Sequence, residues 1–294
     1  MQVDRNLLEA HVAELARVPR PAESDRLEEC RAYVTQSLEQ SGWRVRRHAF
    51  AADADDGRSL HGVNLVAEHR DHPPSERPRF CVGAHLDSRP ETPGADDNAS
   101  AVATLLEIAR ILPEYWPTEA ALDLELVAFD LEELGMLGGA EHARCSRASS
   151  VDLCGMVSLE MLGYCDHAPQ SQALPRELVG LYPDTGDFIA VIGNQNSGVL
   201  IEAFSAGLEQ IEGLPVETLA VPENGNYLQA TRLSDHSPFW DAGYPALMIT
   251  DTSFLRNPHY HMPTDTLETL DFDFLHLGTR GSLEAVRGLI AQGF

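Results

Sequence analysis

From Arg79 onward, apolar runs alternate with amphipathic ones, and this alternation limits the possible architectures more than any other feature of the chain. "RFCVGAHLD" is a continuous apolar run ending in polar groups, and "NASAVATLLEIARIL" has helical spacing with Asn98 and Ser100 near its start. "ALDLELVAFD" returns to strand and "EELGMLGGAEHA" to a helical pattern. "LCGMVSLEMLG" and "DFIAVIGN" read as strands, "GVLIEAFSAGLEQI" as a helix, "YPALMITDT" as a strand, and Phe272 to Ile290 as a last helix. Strands that are apolar on both faces and alternate with helices predict an α/β fold, a mostly parallel central sheet with helices on both faces. Upstream, Leu7, Leu8, Val12, Leu15 and Ala16 recur at helical spacing, and a second helix runs from about Glu23 to Glu39. "WRVRRHAFA" and "HGVNLVAEH" read as two strands joined through turn residues Asp55 to Gly57, and the polar stretch Asp71 to Arg79 reads as a surface loop. With 294 residues and no internal repeat, a single domain spanning 1–294 is expected, residues 1–60 packing onto it.

Composition enters through charge and thiols. A formal net charge of −25 argues against nucleic acid and anionic membrane surfaces as partners. The cysteines Cys30, Cys81, Cys145, Cys154 and Cys165 are odd in number and form no C-x-x-C pair, so reduced thiols are expected. The N-terminus is charged throughout and no run is long enough to span a bilayer, which predicts a cytoplasmic location.

In open α/β sheets, ligands bind beyond the carboxyl ends of the strands. The titratable residues fall there: His85 and Asp87 after one strand, Asp130, Glu132 and Glu133 after another, Glu160 after a third, Asp251 and then His261 after a fourth. The loop "GAHLDSRPETPGADDNASA" adds Asp96 and Asp97. Bare carboxylates so crowded repel, and some would have to stay protonated, whereas a divalent cation removes the conflict. Imidazole with carboxylate suits zinc, and one carboxylate shared between two cations accounts for more candidate ligands than one ion needs. In "FDLEELG" one glutamate can bind metal while its neighbour handles a proton. Each fragment alone has a bland reading as a helix cap or solvated turn; their joint occurrence at successive strand ends is what points to a centre.

"GAHLDS", "PGADDNASA", "FDLEELGMLGG", "SLEMLGY", "SDHSPFWDAGYPALMITDT" and "NPHYHMPTDT", in order from about Asn64 to Leu270, together resemble the co-catalytic zinc peptidases, the family of bacterial leucyl aminopeptidases and glutamate carboxypeptidases. The resemblance implies a zinc-exopeptidase architecture and two zinc ions, for which carboxylate-rich sites also accept manganese or cobalt. It implies His85 and Glu160 on one ion, Asp96 bridging, and Glu133 with His261 on the other. Glu132 resembles the general base, and Asp87 the carboxylate that orients His85. Asp97 resembles the residue joined to the bridging aspartate by a strained peptide bond that can be cis. Tyr260 resembles the tyrosine that donates to the developing oxyanion, and Asp235 and His236 a structural pair without metal. Two positions depart from the pattern: Glu160 stands where family aminopeptidases commonly have aspartate, and Thr231 and Arg232 occupy the neighbourhood where some have a tyrosine.

The implied activity is hydrolysis of an amide bond, foremost removal of N-terminal residues from peptides. Carboxypeptidase, dipeptidase or N-acyl amino acid hydrolase activity on the same site is the nearest alternative, with Arg256 and Arg232 available to receive a substrate carboxylate. A glutaminyl-cyclase-like acyltransferase with one zinc and a non-catalytic binding module are the others. The full set of ligand candidates argues against both.

Overall fold

The computed structural model describes residues 1–53, 57–149 and 152–294. The expected turn at Asp55 and Asp56 lies outside the described residues. The elements run α1 (Arg5–Leu15), α2 (Asp25–Gln40), β1 (Trp43–Asp53), β2 (Ser59–His69), β3 (Arg79–His85), α3 (Ala101–Ile111), β4 (Asp123–Phe129), α4 (Leu137–Ala148), β5 (Leu153–Glu160), β6 (Ile189–Asn194), α5 (Gly198–Leu208), β7 (Val216–Val221), α6 (His236–Asp241), β8 (Ala246–Thr250) and α7 (Phe272–Gln292). Local chemistry explains several starts. Asp4 caps α1 by accepting from the Asn6 amide, Ser24 caps α2 through the Leu27 amide, and Asp271 caps α7 through the amides of Asp273 and Phe274.

Among the described residues one eight-stranded sheet forms, in the order β1-β2-β4-β3-β5-β8-β6-β7. Its middle, β4-β3-β5-β8, is parallel; β2 and β6 flank it antiparallel, β1 pairs antiparallel with β2, and β7 pairs parallel with β6. The sheet is therefore mixed, with the expected parallel strands at its centre. Helices cover both faces. Phe80, Val82 and Ala84 of β3 pack with residues of α1, α2, α3, α5 and α7. Cys81 points the other way and packs with Phe129, Ala143 of α4 and Phe239 and Trp240 of α6.

Three local readings change. β7 was not anticipated, because "VETLAV" is a short, half-exposed edge strand with little apolar signal. The "SDH" turn opens the short helix α6. The helical pattern of "EELGMLGGAEHA" begins in earnest only at Leu137. Before it, Leu131, Gly135 and Met136 take positive φ and fold Glu132–Leu134 into a separate tight turn. Likewise, Asp97 and Asn98 have non-helical dihedrals and the Asp97–Asn98 peptide is cis, so regular α-helix starts at Ala101.

Candidate metal centre

Register brings the strand ends together. His85 of β3 pairs with Phe129 of β4, Gly83 of β3 with Ser158 of β5, and Glu160 of β5 with Thr250 of β8. Parallel neighbours end at one edge, so His85, the Glu132–Glu133 turn and Glu160 rise side by side. Gly83 carries no side chain because the Phe129 ring lies 2.2 Å from where its Cβ would be.

Two donor groups result. His85, Asp97 and Glu160 form one; Asp97, Glu133 and His261 form the other. Asp97 stands between them, with Oδ1 at 3.2 Å from His85 Nε2 and Oδ2 at 3.2 Å from His261 Nε2. Glu160 Oε1 lies 3.6 Å from His85 Nε2, and Glu133 Oε2 lies 3.2 Å from His261 Nε2. Ligands about 2.1 Å from a tetrahedral zinc are themselves about 3.4 Å apart, so these separations are the edges of zinc coordination shells. His85 Nε2 and Glu133 Oε1 are buried yet make no geometrically sound hydrogen bond, which is what ligand atoms awaiting an ion look like. The residues therefore fit the metal.

The expectation that Asp96 bridges is corrected: Asp97 holds that place. Asp96 turns away from the donor groups. Its Oδ1 accepts from the Gly163 amide at 2.9 Å and from Ser100 Oγ at 3.2 Å, and its Oδ2 accepts from Asn257 Nδ2 at 2.7 Å. The cis bond moves one residue along with it. Asn98, on the far side of that bond, ties the loop to the end of β5 by donating to the Leu159 carbonyl and accepting from the Met161 amide.

Asp87 lies against both His85 and the glutamate turn, its Oδ1 3.7 Å from His85 Nδ1. Its backbone carbonyl faces His85 Nδ1 at 3.1 Å, while its carboxylate accepts from the amides of Glu132 (3.1 Å) and Glu133 (3.2 Å). One residue thus fixes the imidazole's tautomer and the turn bearing both glutamates. Three supporting residues were not singled out from the sequence. Asp265 accepts from the Asp96 and Asp97 amides at 2.9 and 3.1 Å, Asn257 holds Asp96, and Ser234 donates to Glu160 Oε2 at 2.7 Å. Ser234 is in turn 2.8 Å from Ser158 Oγ, so the longer arm of Glu160 is anchored. Asp130 is structural, bound by Arg31 and by the amides of Val63 and Leu131. Arg256 donates to Gln172 and lies over the Phe188 ring, and Arg232 binds the Asn224 carbonyl and Asp241. Neither arginine lines the cleft between the donor groups.

Without a cation the electrostatics are in conflict. Burial and neighbouring acids push Glu132 well above the usual carboxylate range and raise Glu133 and Glu160. Burial opposes the charge on His85, yet Glu160 and Glu132, with Asp87 and Asp97, carry it well above its ordinary value. His261, despite burial, rises to about 9 through Asp97 and Glu133. Burial likewise works against an ionised Asp97, but contacts with His261 and His85 hold it below the usual range. Tyr260, stacked on His261 with centroids 3.7 Å apart, is raised by burial and then by the same acids, so its hydroxyl keeps its proton.

A histidine–carboxylate cluster at the carboxyl edge of a mixed α/β sheet, with both donor groups complete, is the layout of a metallohydrolase. The description "Peptidase family M28" matches residues 64–286. YfbL of Escherichia coli (strain K12) is 36% identical over 266 residues, 86% of this chain and 78% of that one. Leucine aminopeptidase 1 of Uncinocarpus reesii is 26% identical over 272 residues, 83% of this chain and 62% of that one. The chain belongs to peptidase family M28 and is a zinc-dependent hydrolase. Its fold is shared with the aminopeptidase from Aneurinibacillus sp. strain AM-1 (TM-score 0.72, 15% identity, 97% of this chain and 93% of that one). It is shared equally with the glutaminyl cyclase of Bacteroides thetaiotaomicron (TM-score 0.74, 18% identity, 99% of each chain).

Proposed function

We propose that the protein is a two-zinc aminopeptidase, removing the N-terminal residue of peptides. The observation that carries the reading is Glu132. It lines the cleft, lies 3.8 Å from His85 Nε2, and belongs to neither donor group. It is therefore the carboxylate left over for proton transfer.

In this reading His85, Glu160 and Asp97 would hold one ion, and Asp97, Glu133 and His261 the other. Zinc held there would supply Lewis acidity for the scissile carbonyl and would lower the pKa of a bound water to about 7. Glu132 accepts the water's proton and returns it to the departing nitrogen. Tyr260, still protonated, offers its hydroxyl to the developing oxyanion. The substrate's free amine enters a cleft lined by Asp97, Glu132, Glu133 and Glu160, whose carboxylate oxygens can accept its hydrogen bonds.

An apolar hollow adjoins the cleft, sharing Glu160, Leu233 and Ser253 with it. Leu178, Phe188, Ile192, Leu228 and Met248 contribute its apolar wall, which suits an apolar side chain of the N-terminal residue. Zinc-loaded protein should hydrolyse leucine p-nitroanilide and should form no pyroglutamate from N-terminal glutaminyl peptides. Glu132→Gln should keep its zinc and lose about 10²- to 10⁴-fold in kcat. Cleavage at the wild-type rate by that variant, or cyclisation in place of hydrolysis, overturns the reading.

A further inference from the structure

A guanidinium stands in the cleft beside the donor groups. Arg89, four residues past His85, places Nε 2.8 Å from Glu133 Oε2, and its side chain is 45% exposed. The loop that carries it is tied down: its carbonyl accepts from the Thr92 amide at 3.2 Å, and the Arg20 guanidinium donates to the carbonyls of Leu86 and Gly94 on either side. Among the described residues, Arg89 and His261 are the cationic side chains lining the cleft, against Asp97, Glu132, Glu133 and Glu160. Two bound dications would balance those four carboxylates, leaving the guanidinium as surplus positive charge at the cleft wall. Its Nε faces Glu133, and the two terminal nitrogens make no hydrogen bond among the described residues. That fork is the geometry that receives a carboxylate bidentately.

Its position selects which carboxylate. The apolar cavity opens on the Glu160, Leu233 and Ser253 side, whereas Arg89 and Glu133 border the hollow around Pro21 and Pro90 instead. A substrate with its first side chain in the cavity sends its leaving portion toward Arg89. In a dipeptide the terminal carboxylate follows the scissile carbonyl carbon by only about 4–5 Å. Resting on the aminopeptidase reading above, we propose that Arg89 binds the terminal carboxylate of the leaving residue and makes the enzyme a dipeptidase by preference.

The test compares Leu-Gly, Leu-glycinamide and leucine p-nitroanilide on zinc-loaded wild type, Arg89→Gln and Arg89→Lys, with zinc content measured for each. Wild type should prefer Leu-Gly to Leu-glycinamide by about 10- to 100-fold in kcat/KM, mostly through KM. Arg89→Gln should bring that ratio toward one and Arg89→Lys should restore part of it. In Glu132→Gln protein, equilibrium binding should favour Leu-Gly at least tenfold, and adding Arg89→Gln should abolish the difference. A wild type active on all three but indifferent to the carboxylate overturns the proposal alone. So does an Arg89→Gln protein that slows on every substrate alike with the ratio intact, since Arg89 then only positions Glu133. A zinc-loaded wild type that cleaves none of the three overturns the aminopeptidase reading and this proposal with it.

Discussion

Asp96 and Asp97 are the same side chain at adjacent positions, and their surroundings separate them. Asp97 faces two imidazoles. Asp96 faces Asn257, Ser100, the Gly163 amide and the buried carboxyl of Asp251, and burial with that neighbour pushes it well above its ordinary pKa. Asp97→Asn should therefore lose most bound zinc, measured by metal analysis after gel filtration, while Asp96→Asn should retain wild-type zinc. Spacing cannot distinguish the two, because the path of the loop depends on Asp265 and Asn98, which bind backbone groups distant in sequence. His85, Glu133, Glu160 and His261, marked in the sequence by strand ends and by the motifs of the resemblance, do fall in the two donor groups. Ser234, Asn257 and Asp265 were not legible, since nothing local marks a residue whose work is to hold another. His236 gives a further residue-scale prediction. It is buried against Trp240 and pairs through Nε2 with the Thr231 carbonyl at 2.8 Å. Burial lowers its pKa to about 3. The unfolded chain takes up this proton near pH 6.5 and the folded one does not, so its stabilising contribution is complete above pH 6.5 and declines as pH falls toward 3. Between pH 7 and 5, urea denaturation should show wild type losing about 2 kcal/mol more than His236→Asn.

At the scale of elements, the site depends on how β4 hands over to α4. The turn carrying Glu132 and Glu133 is compressed between two left-handed residues, Leu131 and Met136, and closed by Gly138, whose amide donates to the Asp130 carbonyl at 3.0 Å. A Cβ at Gly138 would lie 2.2 Å from that carbonyl oxygen and 2.6 Å from Asn64 Oδ1. Backbone cannot rotate away as a side chain can. Gly138→Ala should cost about 1–3 kcal/mol in urea denaturation and displace the glutamate turn. A shift below 0.5 kcal/mol would show that the contact relaxes freely. The strands of the parallel centre were readable from their apolar runs. β7 and the true start of α4 were not, because edge strands lack a two-faced apolar pattern and helical periodicity continues through residues whose dihedrals are left-handed.

For the whole molecule, bound metal and folding are linked. A ligand that binds only the native state stabilises it by about 2.7 kcal/mol at a hundredfold excess over Kd. In a chain of this size that is on the order of 5 °C in Tm. Zinc added to chelator-treated protein should raise Tm by that amount and sodium chloride of equal ionic strength should not; equal shifts would indicate simple screening of the acidic surface. Among the described residues no helix is long and apolar enough to cross a membrane.

The family match begins at residue 64, yet the machinery does not. Arg20, wholly buried, grips the carbonyls of Leu86 and Gly94 that bracket the metal-binding loop, and Arg31 clasps Asp130 at the root of the glutamate turn. The N-terminal helices are thus a brace for chemistry carried elsewhere. A fragment trimmed to the recognisable stretch would carry both donor groups and lack both clamps that keep them in place.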